Sequence, residues 1–241
     1  MVGIGVIWRR ANDILRKEGL KEFLVLGSDF LAARLFKYEE YYLYEHTMKP
    51  KDEKAFLPAT KNFTLRLIRT SEEADELAKT VGFDFRRRLI KGRERLDSGC
   101  IAFVVLVDGK LAHIGWVAID EKGKKALDPL PYKIDFANRQ ACTGGTYTFP
   151  EFRDKKLMAY GYYERFEYLR KNGFTTSRNV VEANNIASQK THAKFGPTVR
   201  GKAGLLIVLG LKFWKERPLA PNDLPAGLTQ ETIQKAGSVT I

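Results

Sequence analysis

Two apolar runs joined by an Asp-Gly pair restrict the fold of this chain more than any other feature. The runs cover residues 100–107 and 111–119, and Asp108-Gly109 lies between them. Such a pair is typical of the tight turn between two antiparallel strands, because it tolerates the positive φ angles of that turn. The sequence therefore predicts an antiparallel β-hairpin here.

The elements around this hairpin predict a mixed sheet. A strand at residues 63–68 and a helix capped by Ser71 and interrupted by Gly82 precede it, and a polar excursion follows it at 120–138. The pattern continues with a strand at 141–149, a helix at 155–172, a strand at 178–183, a helix at 186–195 and a strand at 204–213. The N-terminal half of this region has hairpins, and the C-terminal half has a strand–helix–strand order. Together they predict an α+β fold, a mixed and mostly antiparallel sheet flanked by helices. Strands 141–149 and 178–183 are expected to be parallel.

The two ends of the chain look different from this main domain. Residues 1–36 follow a helical period broken at Gly19, and the tyrosine-rich run 38–44 favours a strand. The sequence thus predicts an N-terminal helical arm over 1–58, a main domain over 59–217 and a tail over 218–241, which contains three prolines and is expected to pack poorly. The arm is expected to pack on the sheet or to form a homodimer.

Composition places the protein among soluble globular proteins. It has 241 residues, 44% of them hydrophobic and 29% charged, and no apolar run long enough to cross a bilayer. The N-terminus lacks a small-residue cleavage site, so no signal peptide is expected. Cys100 and Cys142 lie in apolar runs without metal or redox spacing, which predicts reduced core residues and a cytoplasmic location.

The net charge of +12 limits the partners of this surface. Such a surplus attracts polyanions: nucleic acid, anionic lipid, or a ligand that carries several phosphates. Binding or modification of nucleic acid therefore remains open as an alternative function.

The segment that follows strand 141–149 points to phosphate. Pro150 and Arg153 precede a helix start, and the first turn of a helix holds phosphate on its free N–H groups. This arrangement resembles the GNAT superfamily of acyltransferases, in which two parallel strands splay apart around an acyl-coenzyme A. The resemblance implies acetyl-CoA or another acyl-CoA as co-substrate, no metal, and a pyrophosphate loop of Arg153, Asp154, Lys155, Lys156, Leu157 and Met158.

This loop departs from the family pattern at two positions. GNAT proteins carry glycine where this chain has Lys156, and glycine or alanine where it has Met158. Glycine there lets the backbone approach the pyrophosphate. Either the side chains at these positions weaken cofactor binding, or Lys155 and Lys156 offset the loss by direct charge. The alternative interpretation is a basic helix start that binds no ligand.

A second motif continues the resemblance. Asn185, Ser188 and Gly196 have the spacing at which GNAT proteins begin and end the helix after the second splayed strand, and the resemblance implies that Asn185 and Ser188 contact the cofactor. In this register His192 occupies the position of the tyrosine that protonates the departing thiolate. Histidine suits that task because its pKa is close to neutral, although a packing role is the alternative.

Gly144-Gly145 within a strand predicts a bulge or a close backbone approach. In GNAT proteins the amides of such a strand bind pantetheine and the acyl carbonyl. The resemblance implies this role for Tyr147, Thr148 and Phe149, and Tyr147 is a second candidate for proton transfer.

These features predict an acyl-CoA-dependent N-acyltransferase that acetylates a small primary amine by direct attack on the thioester. A helical arm before such a domain resembles acetyltransferases of surface-polysaccharide synthesis, which implies an amino sugar as acceptor. A non-catalytic GNAT-fold interaction protein and a nucleic-acid binder are the alternatives.

Overall fold

The computed structural model of the protein describes residues 36–88, 91–220 and 223–229. The predicted N-terminal helices, with the predicted homodimer contact, lie outside them. The strands are β1 (Phe36–Thr47), β2 (Phe63–Ile68), β3 (Ile101–Val107), β4 (Lys110–Ala118), β5 (Gln140–Thr148), β6 (Thr176–Glu182), β7 (Thr198–Val208) and β8 (Leu211–Arg217). The helices are α1 (Ser71–Val81), α2 (Phe85–Arg88), α3 (Gly92–Asp97), α4 (Glu121–Leu127), α5 (Leu157–Lys171) and α6 (Ile186–Ala193).

Within these residues, eight strands form a sheet in the order β2-β3-β4-β5-β6-β1-β7-β8. The β2–β3, β3–β4 and β4–β5 pairs are antiparallel, whereas β5 and β6 are parallel. The predicted mixed, mostly antiparallel sheet and its parallel pair are thus confirmed. Strand β1 is inserted beside β6, a long-range placement that the sequence pattern did not predict.

The predicted hairpin is confirmed as β3 and β4. Asp108 and Gly109 form its turn with φ angles of 49° and 73°, the left-handed conformation that favours this pair. All of β3 is buried, as is β4 apart from its first residue. Cys100 and Cys142 are free and fully buried, which confirms their assignment to the core.

Two predictions about elements were wrong, and one helix was not predicted from the sequence. Helix α1 is capped by Thr70, whose side chain accepts the N–H of Glu73 at 3.2 Å, rather than by Ser71. The polar excursion contains α4, capped by the carboxylate of Asp120. The last predicted strand is instead the pair β7 and β8, since Leu209 and Gly210 adopt left-handed φ angles of 52° and 83° between them.

The larger of two compact units comprises residues 42–202 and 217–229 of the described chain. Helix α5 packs on β3, β4 and β5 and supplies much of its core. The second half of β1 belongs here too: Tyr44 is 0% exposed, and Phe56, shortly after β1, stacks on Phe195 with ring centres 4.6 Å apart. Described residues of the predicted arm thus form part of this core.

The described part of the tail also packs in this unit, contrary to prediction. Leu228 lies among Tyr42, Tyr44, Val181 and Val199. The N–H of Ala226 donates to the side-chain oxygen of Gln189 at 2.8 Å. Proline marks the irregular backbone of this segment but does not exclude packing.

The smaller unit comprises, among the described residues, 36–41 and 203–216. Tyr41 and Trp214 pack with ring centres 5.8 Å apart. Several large apolar side chains are exposed here: Phe36, Tyr38, Leu209, Leu211 and Phe213.

Of the helices in the described ranges, none has the length and apolar character to span a bilayer.

Candidate functional site

Strands β5 and β6 separate after a short parallel contact. Their register covers Gln140↔Thr176, Ala141↔Ser177 and Cys142↔Arg178, whereas β5 continues to residue 148 and β6 to residue 182. A hydrogen bond of 2.9 Å between the hydroxyls of Thr143 and Ser177 closes the paired end. Beyond it the strands diverge, and we call the space between residues 144–148 and 179–182 the gap.

The backbone of β5 presents one amide of the predicted set to the gap. The N–H of Phe149 donates to the carbonyl of Ala112 on the β4 side at 3.0 Å, and Tyr147 pairs with Ile114. Since neighbouring residues of a strand point their amides to opposite edges, the N–H of Thr148 faces the gap. The amide of Phe149 is thus engaged within the sheet and does not face the gap.

The predicted bulge is confirmed at Gly145. Ile114 pairs with Tyr147 but Trp116 pairs with Gly144, so β5 carries one extra residue at this point. Gly145 has a φ of 57°, and a Cβ there would lie 2.7 Å from Nη1 of Arg95. Both its conformation and its close contact with Arg95 therefore require glycine.

The predicted pyrophosphate loop adopts a glycine-like backbone without glycine. Lys156 has a φ of 58° and Asp154 a φ of 62°, both in the left-handed region. Lys156 precedes α5 and makes no side-chain capping bond, so the first-turn amides of α5 have no side-chain cap. The loop thus keeps the backbone shape that a glycine at position 156 would provide.

The side chains of this loop divide into exposed and packed ones. Arg153 and Lys156 are exposed, whereas Lys155 is half-buried with Nζ 5.1 Å from the ring centre of Phe152. Leu157 is buried in the core, and Met158 is half-buried against it. The exposed cations at this helix start are therefore Arg153 and Lys156, and the carboxylates of Glu151 and Asp154 are exposed beside them.

The start of α6 is built as the motif predicts. The side-chain oxygen of Asn185 accepts the N–H of Ser188 at 3.0 Å, which makes Asn185 the helix cap. Ser188 is 8% exposed and faces the interior with His192. The structure shows Asn185 in the role of a helix cap. The contact with a cofactor, predicted for Asn185 and Ser188, remains a prediction.

His192 lies in a buried hydrogen-bond chain. The amide Nδ2 of Asn179 donates to Nε2 of His192 at 3.2 Å, and Nδ1 of His192 lies 2.9 Å from Nε2 of His46. His192 therefore carries its proton on Nδ1 and donates it to His46. The rings of Tyr44 and Tyr162 pack against it with centres 5.1 and 4.5 Å away. The ring is 0% exposed, so both nitrogens are used inside the protein.

Electrostatics keep this histidine neutral. Burial, followed by the nearness of His46 and of the Arg165 guanidinium, holds the pKa of His192 well below its ordinary value. Burial likewise lowers the pKa of His46 to about 3. The structure thus differs from the expectation that His192 titrates near neutral pH, because that expectation assumed a ring in contact with water.

Two residues of α5, Arg165 and Tyr162, contact β5 beside the gap from the α5 face. Nη1 of Arg165 lies 3.4 Å from the carbonyl oxygen of Gly144 and 3.4 Å from the hydroxyl of Thr146. Its guanidinium carbon lies 3.8 Å from the centre of the Tyr162 ring, and the Tyr162 hydroxyl accepts from Thr146 at 3.4 Å. The buried row Leu157, Gly161, Arg165 and Leu169, spaced by four residues, is the sequence signal that could have revealed a buried arginine.

The two predicted proton donors lie on opposite faces of β5. Thr146 and Thr148 contact Tyr162 and His113, respectively, on the α5 face. Side chains alternate along a strand, so Tyr147 projects from the other face, where its ring packs 5.0 Å from that of Phe149. The structure therefore joins His192 to the gap through Tyr162 but does not bring Tyr147 and His192 together.

Comparison with known proteins gives matches among solved structures alone: no protein-family profile and no curated protein matches the sequence. The chain is similar to a putative GNAT-family acetyltransferase from Novosphingobium aromaticivorans, with 14% identity over 71% of this chain and 66% of that chain at a TM-score of 0.47. It is similar to a GNAT-family acetyltransferase from Colwellia psychrerythraea, with 17% identity over 76% and 62% at 0.44. A conserved protein of unknown function from Staphylococcus epidermidis matches with 11% identity over 77% and 68% at 0.48.

Proposed function

We propose that the protein is an acyl-CoA-dependent N-acyltransferase that transfers an acetyl group to a small primary amine. The observation that carries this proposal is the separation of β5 from β6 directly before the left-handed loop that begins α5. A strand edge with an unpaired amide and an adjacent phosphate-binding helix start suit an extended ligand with a pyrophosphate at one end. Acetyl-CoA has this shape and charge.

The loop supports binding of the pyrophosphate. The N–H groups in the first turn of α5 supply donors and the positive end of the helix dipole, and Arg153 and Lys156 add exposed cations. Lys155 contributes less charge than its position in the sequence indicates, because it packs on Phe152. The exposed Lys156 supports one of the two interpretations of the lost glycines, namely that lysine charge offsets the weaker binding.

The gap supports binding of the thioester arm. The N–H of Thr148 is placed to donate to a carbonyl that lies along β5, and the bulge at Gly145 widens the strand edge beside it. Bound acetyl-CoA supplies the activated acyl group. The chain's own part is to hold that carbonyl on a fixed donor and to bury the reacting atoms.

The acceptor is proposed to approach from the face of β5 that carries Tyr147, opposite α5. Tyr147 is half-buried there and is the sequence-predicted candidate that remains for proton transfer on this face. A small amine, including the amino sugar implied by the sequence resemblance, remains the proposed acceptor class.

The structure gives less support to the alternative of a nucleic-acid binder. Arg86, in one of the basic runs of the sequence, is 5% exposed and forms ion pairs with Asp84 and Asp75. Its charge is thus neutralised within the protein. The alternative of a non-catalytic protein requires that the gap does not bind coenzyme A. A binding measurement with coenzyme A therefore tests this alternative as well as the proposal.

Calorimetry with coenzyme A and acetyl-CoA tests the proposal. We expect binding by the unmodified protein and a loss of about 1–3 kcal/mol in Arg153→Ala/Lys156→Ala, the scale of charge-assisted hydrogen bonds. Lys171→Ala removes an exposed charge from the last turn of the same helix and is the matched control. No heat of binding at millimolar coenzyme A would favour the non-catalytic interpretation.

A further inference from the structure

Arg165 is a buried cation without an acidic partner. Its side chain is 0% exposed, and within the described ranges no carboxylate lies within 4.0 Å of its guanidinium, whose Nη2 has no hydrogen-bond partner. Burying an unpaired charge is costly, so a protein that only needs packing at this position gains nothing from arginine.

Two glycines make room for this charge. A Cβ at Gly115 would lie 2.5 Å from the guanidinium carbon, and neither its conformation nor a turn requires glycine there. The carbonyl of Gly161 accepts Nε of Arg165 at 2.8 Å, and a Cβ at Gly161 would lie 2.5 Å from Nε2 of His113. The helix and the sheet thus approach closely around the guanidinium.

The guanidinium lies on the α5 side of the sheet, beneath the bulge of β5 and next to the gap. Its contacts with Gly144 and Thr146 on β5 are both beyond Cys142, the last residue of β5 in register with β6. On the other side, the Tyr162 ring separates it from His192, which Asn179 of β6 holds. The guanidinium also lies 3.5 Å from the carbonyl oxygen of Trp116 on β4, so the cation is placed beneath β4 and β5 at the edge of the gap.

Three buried histidines lie around Arg165: His113 on β4, His192 on α6 and His46 on β1. Burial is the largest cause of the lowered pKa of each histidine, and the charge of Arg165 lowers it further. The contribution of Arg165 to these shifts is a positive potential, and a positive potential favours an anion in the same place.

We propose that Arg165 stabilises the negative charge of the coenzyme A sulfur as it leaves within the gap. In this step the amine nitrogen forms a bond to the acyl carbon, the carbon–sulfur bond breaks with its electron pair on sulfur, and the proton lost by the amine passes to water. A fixed cation thereby takes over the task expected of a proton donor at His192. This inference rests on the proposed function.

The ionisation of bound coenzyme A measures this effect without an acceptor. Ultraviolet absorbance of the thiolate is recorded against pH for the coenzyme A complex, with the acetyl-CoA complex as blank because it has no free thiol. Burial raises the pKa of both Cys100 and Cys142 to about 12, so the protein's own thiols stay silent below pH 10. We expect the pKa of the bound thiol to lie about one unit or more below that of free coenzyme A in the same buffer.

Three variants separate charge from packing. Arg165→Met should return the thiol pKa to its free value while raising the melting temperature, because it replaces an unpaired buried charge by an apolar side chain. Arg165→Lys should keep a lowered pKa. Arg170→Met removes an equal charge from the surface of the same helix, where Arg170 pairs with Glu167 at 2.7 Å, and should change neither quantity.

The outcomes distinguish this inference from the proposed function. Coenzyme A that binds with an unshifted thiol pKa would overturn the role of Arg165 and leave the acyltransferase proposal standing. A lowered pKa that persists in Arg165→Met would also overturn it. Absence of coenzyme A binding would overturn both. Should Arg165→Met fail to fold, the thiol pKa of the unmodified protein and of Arg165→Lys still decides.

Discussion

Nε2 of His46 and Nδ1 of His192 are 2.9 Å apart in an interior where both rings are buried. The two residues are separated by 146 positions in the sequence, and their contact joins β1 to α6. The third histidine of the chain, His113, is also 0% exposed. Every histidine of this protein is therefore buried and neutral in the folded state.

We expect stability to fall as the pH decreases from about 6.5, the ordinary histidine pKa, towards 3. Burial lowers the pKa of His46 and His113 to about 3, so in this window the unfolded chain binds protons that the folded chain does not. Each histidine contributes up to about 1.4 kcal/mol per pH unit. Urea denaturation at pH 7 and pH 5.5 measures the slope, and His113→Phe should reduce it. A flat profile would contradict neutral, buried rings.

His192→Gln should lower the free energy of unfolding by about 1–3 kcal/mol, because the shorter side chain leaves Asn179 or His46 without a partner. Chemical denaturation measures this loss. The double variant with His46→Leu should cost less than the sum of the two single variants, since the pair is then removed together. Unchanged stability combined with a hundredfold loss of turnover would instead support the proton-donor role predicted from the sequence.

Lys156→Gly should stabilise the protein by up to about 1 kcal/mol, because glycine adopts a left-handed φ without the penalty that lysine bears. Lys156→Val should destabilise it, since a branched side chain is poorly tolerated there. Both variants remove the same charge, so a difference in coenzyme A affinity between them, measured by calorimetry, reports the backbone shape of the loop. Equal affinities would show that charge alone matters.

Gly145→Ala should lower stability by about 1–3 kcal/mol, the usual cost of overpacking, because its Cβ would meet Arg95 and its φ is positive. Gly144→Ala is the matched control: nothing lies within 4 Å of its Cβ position, and its φ is not in the left-handed range. Thermal denaturation compares the two. Equal melting temperatures would contradict the close contact at the bulge.

Local signals in the sequence were sufficient for much of the fold. Asp108-Gly109 predicted the hairpin because two adjacent residues determine that turn, and the order of strand and helix between residues 140 and 182 predicted the parallel pair. The placement of β1 beside β6 could not be predicted, since it depends on pairing between segments more than 100 residues apart.

Some backbone features of the candidate site could be predicted from the sequence, but the surroundings of its side chains could not. Asn185 and Gly145 have the roles in the backbone that their residue types indicate. The left-handed φ of Lys156 could not be predicted because lysine seldom adopts it. The burial of His192 depends on His46, and the buried charge of Arg165 depends on space left by Gly115, so neither is visible in a local pattern.

The packing of the tail has a consequence for how the chain folds during synthesis. Tyr42 donates to the carboxylate of Asp223 at 2.8 Å, a contact that spans 181 positions, and Leu228 lies in the same apolar cluster as Tyr44. Contacts of such separation close long loops and slow folding. This cluster cannot assemble until residue 228 has left the ribosome. The side chains of Tyr42 and Tyr44 must therefore wait for a segment about 181 positions downstream, and until then they are exposed to other partners.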